Sequence, residues 1–157
     1  MSLEGKPAMR FLLFFLVLTV IVSPVLGADG DRVLGLWKTP DDDCKIEIFQ
    51  CGDKYCGRIA ELQEPNYPAD DKEGMAGRPK VDRENPDPTL RSRPLIGLVL
   101  MEGFTYVGKD VWEKGTIYNP DDGRSYKCKL TLSTPDRLQV RGYIGIPLLG
   151  GTSTWKR

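Results

Sequence analysis

The chain of 157 residues contains no histidine, and this absence narrows the chemistry that it can perform. Histidine is the commonest general base near neutral pH and the commonest metal ligand among side chains. A Gly-x-Ser-x-Gly sequence and a glycine-rich phosphate loop are also missing, so the usual signs of a hydrolase or a nucleotide-binding protein are absent. We therefore expect no enzymatic activity, no cofactor and no metal site. The run Asp41-Asp42-Asp43 is interpreted as a solvated turn, because it lacks the alternating spacing of a calcium loop.

Long apolar runs are scarce, and the longest one lies near the N-terminus. Phe11–Val22 is an uncharged stretch of 12 residues that follows Lys6 and Arg10 and precedes Pro24. A membrane-spanning helix needs about 20 apolar residues, so the run is short for an anchor. The order of basic, apolar and small residues predicts a secretory signal peptide over residues 1–27. A retained transmembrane anchor is the alternative.

Residues 28–157 then form one domain by length, and their charges are nearly balanced. Removal of the signal leaves one more acidic than basic residue. A balanced overall charge is not typical of proteins that bind nucleic acid or an anionic membrane. We expect no nucleic-acid partner and no stable membrane span after cleavage.

The four cysteines are interpreted with an oxidising compartment in mind, where disulfides persist. Cys51 and Cys56 enclose four residues, whereas a redox C-x-x-C motif encloses two, and no zinc pattern fits their spacing to the other cysteines. This favours a Cys51–Cys56 disulfide across a tight turn. Cys44 and Cys128 have apolar neighbours in alternation, so they are either two buried free thiols or a second disulfide. Cross-pairing with Cys51 or Cys56 stays open.

Alternation of polar and apolar residues predicts short β-strands along most of the domain. The predicted strands are 34–39, 44–50, 55–62, 95–104, 111–118, 126–132, 137–144 and 151–157. Turn sequences separate them, among them Asn119–Gly123, which is typical of a hairpin. Closing such strands on themselves removes exposed edges, so the prediction is an all-β fold, an antiparallel up-and-down barrel of about eight strands. An open sandwich is the alternative.

One segment, residues 64–94, is rich in proline and charge and is predicted to be a long loop. Loops of this length are usually functional or disordered, so it is interpreted either as a solvated loop or as a lid over the barrel mouth. Asp87 and Pro88 are suited to start a single helical turn. Four polar residues of the loop are candidates for holding a polar ligand or, alternatively, for salt bridges within the loop. These candidates are Asp82, Asn85, Arg91 and Arg93.

Two resemblances add to this interpretation. Gly35-Leu36-Trp37 on the first strand and the basic Arg157 on the last resemble the lipocalin and calycin superfamily, in which such a tryptophan plugs one end of the barrel beneath a basic side chain. More of the chain resembles the bacterial domain-of-unknown-function family 2147, in five blocks that occur in the same order. The blocks are GLW, CGDKYCGRI, DRENPDPTLRSRPLIG, WEKGTIYNPDDGRSY and RGYIGIPLLGGTSTWKR.

The family resemblance implies an exported small protein with a calycin-like barrel, in the periplasm or secreted. Cys51 and Cys56 match cysteine positions of that family, and the resemblance implies no reaction, substrate or catalytic residue. Two hypotheses for function follow. The first is a barrel that binds one small apolar or amphipathic ligand. The second is a structural or interaction module of the cell envelope with a filled core and exposed aromatic contacts. Its candidate contacts are Tyr106, Trp112, Tyr118 and Tyr143.

Overall fold

The structure of the protein, a computed structural model, describes residues 29–41 and 43–157. The predicted signal peptide lies outside the described residues. Eight strands close into one barrel in which each strand pairs antiparallel with the next and β1 pairs with β8. The strands are β1 (Gly35–Lys38), β2 (Cys44–Cys51), β3 (Lys54–Leu62), β4 (Val99–Gly108), β5 (Val111–Asn119), β6 (Arg124–Thr134), β7 (Arg137–Tyr143) and β8 (Gly151–Lys156).

The predicted up-and-down barrel is confirmed, because every connection joins neighbouring strands. Three 3₁₀ turns complete the described elements, at Asp29–Val33, Pro88–Leu90 and Pro147–Leu149. The second is the single helical turn predicted in the long loop, and the Asp87 carboxylate accepts a hydrogen bond from the Thr89 amide. Within β2, Ile46 and Ile48 point into the core as their alternation predicts.

The fourth strand begins later than expected. Residues 95–98 were predicted to be strand, but they form a turn in which the Leu98 amide donates to the Leu95 carbonyl at 3.0 Å. Gly97 has φ of 87°, a backbone conformation that glycine tolerates and that a regular strand does not contain. The apolar residues Leu95 and Leu98 are buried by packing of this turn on the barrel rather than by strand alternation.

Strand direction gives the barrel two different ends. The turns between β2 and β3, β4 and β5, and β6 and β7 lie at one end together with Asp29–Val33, and we call it the closed end. The other four connections, including the long segment 63–98, lie at the opposite end, which we call the open end. The Cys51–Cys56 disulfide spans the β2–β3 turn of the closed end.

The half of the barrel next to the closed end is filled by large side chains. Trp112 is fully buried, with its ring centroid 5.2 Å from that of Tyr106 and 6.3 Å from that of Tyr55. The expectation that Trp112 is an exposed contact is therefore wrong. A bulge between Trp112 and Gly115, with Lys114 at φ of 66°, sets which face of β5 turns inward. Tyr106, Tyr118 and Tyr143 are only partly exposed.

Cys44 and Cys128 are both free thiols, so the second disulfide considered from the sequence is absent. Cys44 begins β2 at the open end, whereas Cys128 lies within β6, opposite Gly115 and Gly142 on the neighbouring strands. The two strands are not neighbours in the barrel. Both thiols lie on inward faces, where cysteine packs as a small apolar residue.

Candidate functional site

The open end of the barrel contains a cavity of about 720 Å³. Its walls are inward-facing side chains of the strands, and its rim is formed by the connections of the open end. The apolar walls come from Ile46, Ile59, Leu100, Ile117 and Trp155.

Glycine contributes to this shape on the inner surface of the barrel. A side chain at Gly115 would overlap the Phe104 ring, and one at Gly57 would approach Met101 and Ile46. Gly142 has more room, because its nearest neighbours would be Tyr126 and Ile117 at 3.8 and 3.9 Å. Glycine at positions 57 and 115 leaves room for the Met101 and Phe104 side chains to pack inside the barrel.

The rim of the cavity is polar and mostly acidic. Among the described residues, four carboxylates and one amine border the opening, and none of these five groups forms an ion pair with another described residue. The carboxylates belong to Asp41, Asp43, Glu64 and Asp121, and the amine to Lys80. Apolar walls below a polar rim are suited to a molecule with an apolar body and a polar group that stays near water.

Cys44 lies on the cavity wall just below this rim. Burial, followed by the nearby carboxylates of Asp43 and Asp121, raises the pKa of the Cys44 thiol to about 11. Burial raises the pKa of Cys128 further, to about 12. Both side chains are therefore neutral thiols at physiological pH, and neither has the lowered pKa of a reactive cysteine.

The long segment between β3 and β4 lies across the open end and contributes Lys80 and Leu95 to the cavity. It is fixed to the barrel by Asp82, which is fully buried. The Asp82 carboxylate accepts hydrogen bonds from the Tyr118 hydroxyl at 2.6 Å and from the Asn85 amide at 2.8 Å. It also accepts from Arg93, whose Nε and Nη2 atoms both lie 2.8 Å away. A buried carboxylate with this many donors is stable only when all of them stay in place.

The four polar candidates of the loop thus converge mainly on one another. Arg91 donates through Nε to the Asn85 carbonyl at 2.7 Å, and Arg93 pairs with Asp82. The sequence allowed two interpretations of these residues, a site for a polar ligand and salt bridges within the loop. The arrangement matches the second. Asn85 and Arg93 also line a separate groove of about 700 Å³ on the outside of the barrel. Tyr118 borders both this groove and the cavity.

Tyr118 links the barrel wall to the loop. Burial and, after it, the hydrogen bond to Asp82 raise the pKa of Tyr118 to about 12. Its hydroxyl therefore stays protonated over the physiological range and keeps its donor role. This contact could not be predicted from the sequence, since the two residues are 36 positions apart.

At the closed end, the structure brings Trp37 and Arg157 together. Trp37 is fully buried, and its Nε1 atom donates to the Val33 carbonyl at 2.8 Å. The Arg157 guanidinium lies over the Trp37 ring and donates to the Arg32 carbonyl at 2.8 Å. Gly35, which opens β1, has φ of 111°, a value that disfavours other residues. These residues close one end of the barrel and lie away from the cavity.

Within residues 29–41 and 43–157, no group of three or more acidic or cysteine side chains is arranged to hold a metal ion. Over the same residues, no helix has the length and apolar character needed to cross a membrane.

A closed barrel of eight antiparallel strands, plugged by a tryptophan at one end and open at the other, defines a lipocalin-like protein of the calycin type. The chain belongs to the family described as "uncharacterized protein conserved in bacteria" (DUF2147), whose model matches residues 35–157. It is similar to protein HP1028 of Helicobacter pylori, which is described as a member of the lipocalin family. The two share 25% identity with a TM-score of 0.66, over 79% of this chain and 81% of that chain. No curated protein matches the sequence at a significant level.

Proposed function

We propose that the protein binds one small apolar or amphipathic molecule in the cavity at the open end, and that it does so without catalysing a reaction. The main support for this proposal is the cavity itself. Its volume of about 720 Å³ lies within the range of roughly 300–1,000 Å³ that is typical of ligand pockets. Its apolar walls offer burial for a chain or ring system, and burial of apolar surface is the main driving force for such binding.

The packing of the barrel supports ligand entry through the open end only. The closed half is occupied by side chains that are almost fully buried, including Phe104, Leu130 and Leu138. A ligand therefore enters between the rim carboxylates and the long loop, with its polar group left at the rim. The excess of carboxylates there favours a neutral or cationic polar group over an anionic one.

We further propose that the protein works in the bacterial periplasm or outside the cell. The predicted signal peptide supports this location. The Cys51–Cys56 disulfide is compatible with it, because disulfides persist in oxidising compartments and are rare in the cytosol.

Native mass spectrometry of the protein, purified without reducing agent or detergent, tests the binding function. We expect extra mass that leaves on denaturation, or saturable binding of the neutral fluorescent probe N-phenylnaphthylamine. The variant Ile117→Trp, which places a large ring in the cavity, is expected to weaken probe binding. The matched control Val107→Trp adds the same ring on the outside of β4, where Val107 is half exposed, and is expected to leave binding unchanged.

The competing function is an interaction module with a filled core, and the dense packing of the closed half favours it. A bare native mass combined with no saturable probe binding would contradict the ligand-binding proposal and favour this module. Equal loss of probe binding in the Ile117 and Val107 variants would mean that the probe binds outside the cavity.

A further inference from the structure

The connection between β7 and β8 exposes four large aliphatic side chains at the open end. Most surface loops are polar, so a group of exposed aliphatic side chains on one short connection indicates an interaction surface. The exposed fractions of the two leucines reach 82% for Leu148 and 75% for Leu149. The group, which we call the aliphatic loop, consists of Ile144, Ile146, Leu148 and Leu149.

Arg141 holds this loop in place. Its Nε atom donates to the Pro147 carbonyl at 2.8 Å, its Nη2 atom to the Leu148 carbonyl at 3.4 Å, and its Nη1 atom to the Thr152 hydroxyl at 2.6 Å. The Pro147–Leu149 turn is thereby bound to the outer face of β7 rather than folded into the cavity. These hydrogen bonds satisfy two backbone carbonyls of the loop and hold it on the outside of the barrel, where its aliphatic side chains are exposed.

The surface beneath the loop is cationic. Pro147 and Leu148 share a groove with Lys129 and Arg141, on the outside of β6 and β7. Lys127 is exposed on β6, opposite Tyr143 at the base of the loop. Lys129 also pairs with Glu113 of β5 at 2.9 Å, which neutralises part of its charge.

The charges of the chain are distributed unevenly, although their sum is nearly zero. Residues 29–123 contain 13 basic and 20 acidic residues, whereas residues 124–157 contain seven basic residues and a single acidic one. That acidic residue, Asp136, is in the turn at the closed end, far along the strands from the aliphatic loop. Asp121 of the neighbouring open-end turn lines the cavity. The face formed by β6, β7 and β8 is therefore positively charged.

We propose that the aliphatic loop and the cationic β6–β8 face together form a docking surface for an anionic lipid membrane. The exposed aliphatic side chains enter the apolar boundary of the bilayer, and the lysine and arginine side chains beside them contact anionic headgroups. In this orientation the barrel lies with its β6–β8 side on the membrane. The proposal rests on the surface alone and holds whether or not the cavity binds a ligand.

Flotation with lipid vesicles tests the proposal. Vesicles of phosphatidylethanolamine with phosphatidylglycerol supply anionic headgroups, and vesicles of phosphatidylcholine alone serve as the neutral comparison. We expect binding to the anionic vesicles that weakens as salt is added, because salt screens the attraction. The double variant Leu148→Ser/Leu149→Ser is expected to bind about tenfold more weakly or worse. The matched control Val107→Ser removes an exposed aliphatic side chain of β4 and is expected to bind as the wild type does.

A charge variant tests the cationic β6–β8 face separately from the aliphatic loop. Lys127→Glu is expected to weaken binding to the anionic vesicles about fivefold or more, while Lys72→Glu in the long loop leaves it nearly unchanged. All variants keep the same apolar N-terminal run, so a difference in vesicle binding between them reports on the docking surface. The three tryptophans are buried, so Leu148→Trp adds an exposed reporter whose fluorescence is expected to shift to the blue on vesicles.

Several results would overturn the proposal. Wild-type affinity in the double leucine variant would exclude the aliphatic loop, and equal binding to both vesicle types would exclude recognition of anionic headgroups. No flotation with either vesicle would exclude lipid docking altogether. Retention on immobilised nucleic acid that is lost in Lys127→Glu but kept in the double leucine variant would identify a polyanion, rather than a membrane, as the partner.

Discussion

The guanidinium carbon of Arg157 lies 4.0 Å from the centroid of the Trp37 ring. This contact joins the C-terminal end of the described chain to its first strand, across a point where β1 and β8 share a single residue pair, Lys38 with Lys156. A guanidinium over an indole contributes on the order of 1 kcal/mol, and Arg157 adds hydrogen bonds to the carbonyls of Arg32 and Leu34. Side chains thus reinforce the pairing of β1 with β8, which is the shortest strand pairing in the barrel.

The first prediction concerns this plug. Trp37→Ala is expected to lower the free energy of unfolding by roughly 3–5 kcal/mol, because it empties a fully buried site at the closed end. Arg157→Ala should cost about 1 kcal/mol, since that side chain is more exposed. Urea unfolding followed by circular dichroism measures both. A loss below about 1 kcal/mol for Trp37→Ala would contradict the role of this ring as a plug.

The second prediction concerns the attachment of the long loop. Asp82→Asn replaces a buried carboxylate that accepts from three side chains, and we expect it to destabilise the protein by roughly 2–4 kcal/mol. Asp87→Asn is the matched control, because its carboxylate is exposed and caps only the short turn. Urea unfolding compares the two variants. Equal effects would show that the Asp82 contacts do not hold the loop to the barrel.

The third prediction is a dependence of stability on alkaline pH. The pKa of Tyr118 is raised in the folded state from an ordinary value of 10.0 to about 12, so folding favours the protonated hydroxyl. Its contribution is fully present below pH 10 and is lost as the pH rises towards 12. The wild type should therefore lose stability over this window more steeply than Tyr118→Phe. Unfolding midpoints measured as a function of pH test this, and parallel curves for the two proteins would contradict it.

The fourth prediction concerns the free thiols. Without reducing agent, the unfolded protein should be alkylated at Cys44 and Cys128 only, since Cys51 and Cys56 are joined. In the folded protein both thiols should react slowly at neutral pH and Cys44 should react first as the pH rises, because its pKa is about 11 and that of Cys128 about 12. Mass spectrometry of digests assigns the sites. Faster labelling of Cys128 would contradict the placement of Cys44 on the cavity wall.

The barrel could be predicted from the sequence because its strands and hairpin turns are specified by residues that are close together in the chain. Alternation placed each strand within a few residues, and turn residues marked the hairpins, as Asn119–Gly123 illustrates. The limits of β4 were missed because Leu95 and Leu98 are buried in a turn, and burial alone does not distinguish a turn from a strand. The inward position of Trp112 was missed for a related reason, since a bulge shifts the alternation without a clear signature in composition.

The candidate site was harder to predict than the fold. The four polar loop residues were identified, yet their main partner on the barrel, Tyr118, is far away in sequence and was expected to be an exposed contact. Whether the interior is filled or open depends on how side chains from opposite strands meet, and periodicity along one strand carries no such information. The uneven distribution of charge was visible in the sequence, but only the barrel shows that the basic residues of β6 and β7 lie beside the aliphatic loop.

The last prediction concerns the boundary between the filled and open halves of the barrel. A methyl group added at Gly115 would overlap the Phe104 ring, which is itself almost fully buried. Gly115→Ala is therefore expected to cost roughly 1–3 kcal/mol, because the Phe104 ring has to move within a packed core. Gly151→Ala on β8 is the matched control, since nothing lies within 4 Å of the added group. If urea unfolding shows no difference between the two variants, the Phe104 ring has room to move, and the filled half is less tightly packed than the structure indicates.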